Sequence, residues 1–193
     1  MQDFKFNTFS CNDYISFNDF MAMNKEDTVR REFCDGHVVR LASASAKHQD
    51  LVGEISAALR NFLRGKTCRE YPGRDVHLKT SHGDVLYVPD VVVLCDKSKD
   101  NGQTIEGAPD FVLEIWSPSN LPKDRKRKRE DYMHAGVREI WEMSGKDTEW
   151  SLIIHTLRDS GDYLIDIAQL DAPVSFRIFE GCSVDLWNII KEN

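Results

Sequence analysis

Apolar positions recur along the chain in two rhythms, one of three and four residues and one of two, and the switches between them mark out the elements. Between Ala46 and Leu63 the residues Leu51, Val52, Ile55, Ala58, Leu59, Phe62 and Leu63 follow the helical rhythm, and Gly65 stops it. A shorter helical stripe, Phe17, Phe20, Met21 and Met23, follows Ser16 as N-cap and predicts a small helix lying as a lid on the core. VRREFC and HVVRLAS alternate on either side of Asp35-Gly36, which predicts an antiparallel hairpin. TCREY, RDVHLKT, DVLYVPDVVVLCD and PDFVLEIW, rich in β-branched and aromatic residues and bounded by turn residues, are expected to form strands of one sheet. Residues Pro122 to Ala135 read as a helix ended by Gly136, after which REIWEM resumes the strand pattern. WSLIIHTLR, GDYLIDIAQL and SFRIFE read as further strands around a DSGD turn, and VDLWNIIK as a closing turn or two of helix. The order of elements predicts an α/β (α+β) fold with a mixed sheet flanked by helices.

At 193 residues, with 41% hydrophobic and 30% charged side chains spread evenly, the chain is expected to form one domain over residues 1–193. The opening MQDFKFNTFSCNDY is too polar for a signal peptide and no stretch is long enough to span a bilayer, so a cytoplasmic protein without membrane contact is expected. Five widely spaced cysteines without a C-x-x-C pair suit reduced, mostly buried thiols. The net charge of -7 excludes a protein that coats nucleic acid with its whole surface, so any such contact must be local.

VVVL and FVLEI are nearly continuous apolar runs, as in strands buried on both faces, and the acids at their margins stand out. Asp90 opens the first run and Glu114 interrupts the second. A buried carboxylate is costly unless it is paired, hydrogen-bonded or bound to a metal. An aspartate and a glutamate on adjacent strands suffice to hold a hard cation, Mg2+ or Mn2+, with the Ile115 carbonyl as a further ligand. Such an ion polarises a phosphate and lowers the pKa of a bound water, and a lysine nearby would orient that water. Lysines are offered by KDRKRKRED, where residues 123 to 129 hold six basic side chains against one acid. On a helix Asp124, Lys128 and Tyr132 share one face, leaving Arg125, Lys126, Arg127 and Arg129 spread around it, several of them free to meet phosphates.

The strings YVPDVVVL, PDFVLEIWSPS and DRKRKREDYMHAGVREIW resemble a large bacterial family of restriction-endonuclease-like proteins, abundant in cyanobacteria, within the PD-(D/E)XK nuclease superfamily. The resemblance runs from the Asp35-Gly36 hairpin to the strand after Gly136-Val137. It implies a restriction-endonuclease-like core in the order αβββαβ, with an N-terminal hairpin and C-terminal strands added. It also implies Asp90 and Glu114 as the metal-binding acids of a metal-dependent endonuclease acting on DNA. The superfamily's usual lysine position, two after the glutamate, is Trp116 here. The family's D-x-x-x-K-x-x-x-Y pattern, matched by Asp124, Lys128 and Tyr132, implies that the lysine is Lys128, with Lys126 second. His48 and Glu32 also fit the family pattern as secondary candidates. The family's E-Y-W and Asp-Pro turn are replaced by Glu139-Ile140-Trp141 and Ser144-Gly145.

Plainer readings stand beside these. Pro-Asp is common turn punctuation, and Glu114 paired with Lys128 without a metal would be a buried ion pair that specifies packing. A basic run is most often a solvated helix face, His48 a capping or core-edge residue, and Glu32 structural. His77 and His82 lack the partners of a zinc site, and the four tryptophans suit a core or interface rather than base stacking. A non-catalytic nucleic-acid- or protein-binding module on the nuclease fold, and a structural homodimer using the hairpin and tail strands, are the alternatives to the enzyme.

Overall fold

The computed structural model describes residues 14–26, 29–118 and 120–191. Helix α1 (Phe17–Glu26) leads into the hairpin β1 (Arg31–Cys34) and β2 (His37–Arg40), then helix α2 (Ala46–Leu63). Strands β3 (Arg69–Pro72), β4 (Val76–Thr80), β5 (Gly83–Tyr87), β6 (Val91–Leu94), β7 (Ile105–Glu106) and β8 (Phe111–Trp116) follow. Helix α3 (Pro122–Ala135) crosses to β9 (Glu139–Lys146), β10 (Glu149–Leu157) and β11 (Tyr163–Ala168), and the short β12 (Val174–Ser175), β13 (Ser183–Val184) and α4 (Trp187–Lys191) close the chain.

The strands do not form one sheet. A five-stranded sheet runs β2-β1-β5-β4-β7 and a six-stranded sheet runs β11-β10-β9-β8-β6-β3. The division falls inside DVLYVPDVVVLCD, because Pro89 has no N–H to give a ladder. The chain leaves the first sheet after Tyr87 and enters the second at Val91. β8 and β9 are parallel, joined by α3, while β6 lies antiparallel to β8. This is the mixed sheet expected from the resemblance.

Helix α2 begins where Ser45 accepts a hydrogen bond from the His48 N–H at 3.2 Å. It buries Leu51, Ile55, Leu59 and Leu63 against β6, β8 and β9. α1 is capped by Ser16, which accepts from Asp19 N–H at 3.2 Å, and its Phe20 is fully buried against Phe33 and Leu86. The hairpin turn has Asp35 at φ 51° and Gly36 at φ 74°, the positive pair that a two-residue turn between twisted strands demands. The β10–β11 hairpin forms around the DSGD turn.

Two further expectations are corrected. SFRIFE is not a strand: only Ser175 lies in β12. Phe176 stacks on Trp141 at 4.3 Å between ring centroids, and the N–H groups of Arg177 and Ile178 donate to the buried Glu139 carboxylate at 2.9 and 2.8 Å instead of to a ladder. Nor are all the thiols reduced, since Cys68 and Cys95 form a disulfide. They flank the Arg69–Leu94 pair at the end of the β3–β6 ladder, a neighbourhood that their separation of 27 in sequence conceals. Cys34 and Cys182 are free and buried as expected, and Cys11 lies outside the described residues. Among the described residues no helix is long and apolar enough to cross a membrane.

Candidate active site

Asp90 stands at the point where the chain passes from one sheet to the other. Its N–H donates to Leu113 O at 3.0 Å, and its Oδ2 accepts from the Ile115 N–H at 2.7 Å. The carboxylate thus occupies the place on the β8 edge that a continued β6 would have taken. N–H and C=O of one strand residue face the same side, so the Ile115 carbonyl is directed to that edge as well. Oδ1 of Asp90 meets His48 Nε2, in the first turn of α2, at 3.1 Å. That hydrogen bond raises the His48 pKa above its usual value, outweighing burial. The Asp90 side chain keeps 21% exposure, and it opens into a cavity beside α2.

Behind Asp90 lies a buried cluster. Glu114, 5% exposed, receives Lys128 Nζ at 2.8 Å and the Tyr132 hydroxyl at 2.7 Å on the same oxygen, Oε1. Lys128, 7% exposed, also donates to Glu32 Oε1 at 2.8 Å, and that oxygen accepts from Val88 N–H at 2.8 Å. Aromatic faces complete the lysine's surroundings, with the Tyr87 and Trp116 ring centroids 5.2 and 5.5 Å from Nζ.

Two carboxylates share one ammonium, and the titration follows from that. Burial raises the Glu114 carboxyl; the attraction of Lys128 opposes the rise, while the charges of Glu32 and Asp90 add to it. Burial works against the Lys128 charge, but Glu114 and Glu32 outweigh it and hold the ammonium above its ordinary range. Tyr132, fully buried against Glu114, is pushed well up and stays a neutral donor.

The sequence candidates divide on this geometry. Asp90, Glu114, Lys128, Tyr132, Glu32 and His48 come together. Lys128 and Tyr132 share the inner face of α3, a helix that buries Lys128, Asp131 and Tyr132 in place of an apolar stripe. Lys126 does not join them: two residues along a helix turn it about 200° away, and it pairs with Glu130 at 3.7 Å on the exposed face. Asp124 pairs with Arg127 at 3.5 Å, one turn short of the acids. The arginines expected to be free are engaged with the protein. Arg125 donates to Ser117 O at 2.6 Å, Arg127 also meets Asp35 at 3.6 Å, and Arg129 meets Glu142 at 3.1 Å.

The pattern of this chain's residues 17–186 matches that of the Uma2 family, described as "Putative restriction endonuclease". The chain belongs to the Uma2 family. Two Synechocystis relatives carry the description "Uncharacterized protein". One, slr1290, is 24% identical over 151 residues, 78% of each chain. The other, sll1609, is 27% identical over 112 residues, 57% of this chain and 63% of that one. Among solved structures, the crystal structure of a "putative nuclease belonging to DUF820" from Anabaena variabilis superposes with a TM-score of 0.72. The superposition covers 91% of this Uma2 chain and 99% of that chain at 17% identity, a likeness of fold.

Sequence reasoning missed a second buried network in the Uma2 chain. Glu142, beside Glu114 in the parallel β8–β9 register, accepts from Trp116 Nε1 at 3.0 Å and Arg129 at 3.1 Å, and meets His155 Nε2 at 2.8 Å. Tyr87 donates to Asp131 at 2.6 Å. The signal for Glu142 was available: an acid inside the apolar run REIWEM is the same anomaly that marked Glu114.

Proposed function

We propose that the protein is a metal-dependent nuclease that hydrolyses DNA phosphodiester bonds, with Asp90 and Glu114 holding Mg2+ or Mn2+ and Lys128 acting on the attacking water. The observation that carries this is the junction of the two acids: the Asp90 carboxylate is bonded to the N–H of Ile115, the residue after Glu114. Among the described residues no three His, Cys, Asp or Glu side chains form a ready metal cage. A hard cation that keeps most of its waters needs only one or two carboxylates. The charge balance fits one. Glu32, Glu114 and Asp90 gather around Lys128, and the Glu114 pKa is raised by burial first, with the charges of Glu32 and Asp90 adding to the rise against the attraction of Lys128.

When bound, such an ion polarises a phosphate oxygen and lowers the pKa of a coordinated water. The protein's own part is orientation. His48 and the Ile115 N–H fix the two oxygens of Asp90, and Tyr132 fixes Glu114. Lys128, held charged between two carboxylates, supplies a donor of fixed position that offsets charge developing on the phosphate.

Supercoiled plasmid incubated with manganese or magnesium tests this. The wild type is expected to nick it, and Asp90→Asn to leave it intact while folded. Plasmid untouched by the wild type with either metal would overturn the enzyme.

A second reading, a non-catalytic nucleic-acid-binding module, is favoured by Glu114 Oε1, which already accepts from both Lys128 and Tyr132. It predicts DNA binding that falls with salt and is indifferent to Asp90→Asn.

A further inference from the structure

His48 stands between two cavities of nearly equal size. One, about 550 Å³, lies along α2 and reaches Asp90; the other, about 560 Å³, lies between the start of α2, the end of β8 and the β9–β10 turn. Both are within the range of small-molecule sites, on the order of 300–1,000 Å³.

The first cavity is opened by a face of α2 that the core does not use. Gly53 sits in the middle of the helix, where glycine is unfavourable by roughly 0.5–1 kcal/mol against alanine, and a Cβ there would meet nothing within 4 Å. Ser56, one turn on, is buried and its hydroxyl has no hydrogen-bond partner. Gln49 and Asn61 offer amides at the two ends, and Arg30 crosses the far wall on the Gly73 carbonyl at 2.9 Å. The second cavity offers a half-buried indole, Trp150, with Lys146 at its lining, while Lys47 there donates to the Ile189 carbonyl. His48 is the residue that the two linings share, and its Nδ1 is buried without a partner.

From this arrangement we infer that the strand taken by the site is single-stranded DNA, or a strand locally unpaired, with successive nucleosides in the two cavities and the phosphate between them at His48 and Asp90. The inference rests on the nuclease reading for the role of Asp90, but its core is steric. Neighbouring bases in a duplex stack at about 3.4 Å along the strand, and nucleosides held in two cavities whose linings share only His48 cannot stack on each other. Trp150 gives one base a face that serves any sequence, and the Gln49 and Asn61 amides of the first cavity meet the polar edge of the other. The basic side chains at both cavities provide the local contact that a chain of net charge -7 requires.

The test is fluorescence anisotropy with a labelled oligothymidylate and with the same strand annealed to oligoadenylate, at low salt in calcium. The single strand is expected to bind the wild type at least about tenfold more tightly than the duplex. Trp150→Ala should weaken single-strand binding about 5- to 150-fold, the range of one base–aromatic stack, and Gly53→Phe, which fills the first cavity from an open helix position, should weaken it comparably. Duplex binding should be unmoved by either. Equal or tighter duplex binding, or single-strand affinity unchanged in Gly53→Phe, overturns the inference. Duplex cleavage that needs Asp90 and ignores Gly53→Phe would do so while leaving the nuclease reading in place. Single-strand binding that responds to both variants without cleavage in manganese would remove the nuclease reading alone.

Discussion

Glu32 and Lys128, 96 residues apart in sequence, meet at 2.8 Å in the interior. The contact ties the N-terminal hairpin to α3, and Lys128 extends it to Glu114 on the central sheet. One ammonium thus joins three elements, and its removal is expected to be severe.

Lys128→Met leaves Glu32 and Glu114 buried without their common counter-charge. Loss of one partner of a buried pair costs about 3–5 kcal/mol. A chemical-denaturation curve of Lys128→Met should show a loss of that order. The double variant Lys128→Met with Glu114→Gln should recover part of it, because a neutral amide leaves less unpaired charge. A single variant as stable as the wild type would mean that the cluster contributes nothing to folding.

Asp90→Ala removes a carboxylate that is partly open to solvent and bonded to one side chain and one backbone N–H. The protein is expected to stay folded, with its melting temperature lowered by a few degrees, roughly 1–2 kcal/mol for this surroundings. A calorimetric titration with manganese should show heat of binding in the wild type and none in Asp90→Ala. Equal binding by both proteins would place the ion elsewhere.

Glu142 gives the pH dependence a definite sign. Burial alone would raise its carboxyl, but the hydrogen bond with His155 and the charge of Arg129 outweigh it and hold the group below its usual value. A depressed folded value means stability that is full above the unfolded carboxylate pKa, about 4.3, and lost as pH falls through the folded value. Glu114 has the opposite sign: its folded value is raised, so its contribution declines as pH rises from the unfolded value towards the folded one. Melting temperatures measured from neutral to acid pH should fall more steeply for the wild type than for Glu142→Gln below about pH 4.3. Parallel curves would show that the network does not titrate with folding.

The Cys68–Cys95 bridge closes a loop of sequence separation 27. Chain-entropy bookkeeping puts such a link at about 3–4 kcal/mol. Reductant should therefore lower the melting temperature of the wild type and have no effect on a Cys68→Ser, Cys95→Ser double variant. A wild type insensitive to reductant would mean that the thiols contribute equally when free.

Local pattern made much of this legible. The span of α2, the Asp35-Gly36 turn and the Gly136 stop of α3 each depend on a few neighbouring residues, and each lies where the sequence predicts it. The helical rhythm also chose Lys128 and Tyr132 as companions, because residues four apart share a face. What depends on distant pairing was hidden. Nothing near Phe33 announces that it pairs with Leu86, nothing near Cys68 announces Cys95, and the arginines of α3 found acceptors on Glu142 and Asp35 that only the fold brings close. Glu32 fits the family pattern as a secondary candidate, but its contact with Lys128 depends on the same distant pairing.

Pro89 ends one ladder before the next begins. Its neighbours on either side belong to the cluster: the Val88 N–H holds Glu32, and the Asp90 carboxylate holds the β8 edge. The joint between the two sheets and the candidate site are therefore one piece of backbone. A change in the angle between the sheets, whether from an insertion in the hairpin or a load on α1, moves Glu32 and Asp90 relative to each other. The spacing of the acids is thereby a gauge of how the two halves of the fold are set.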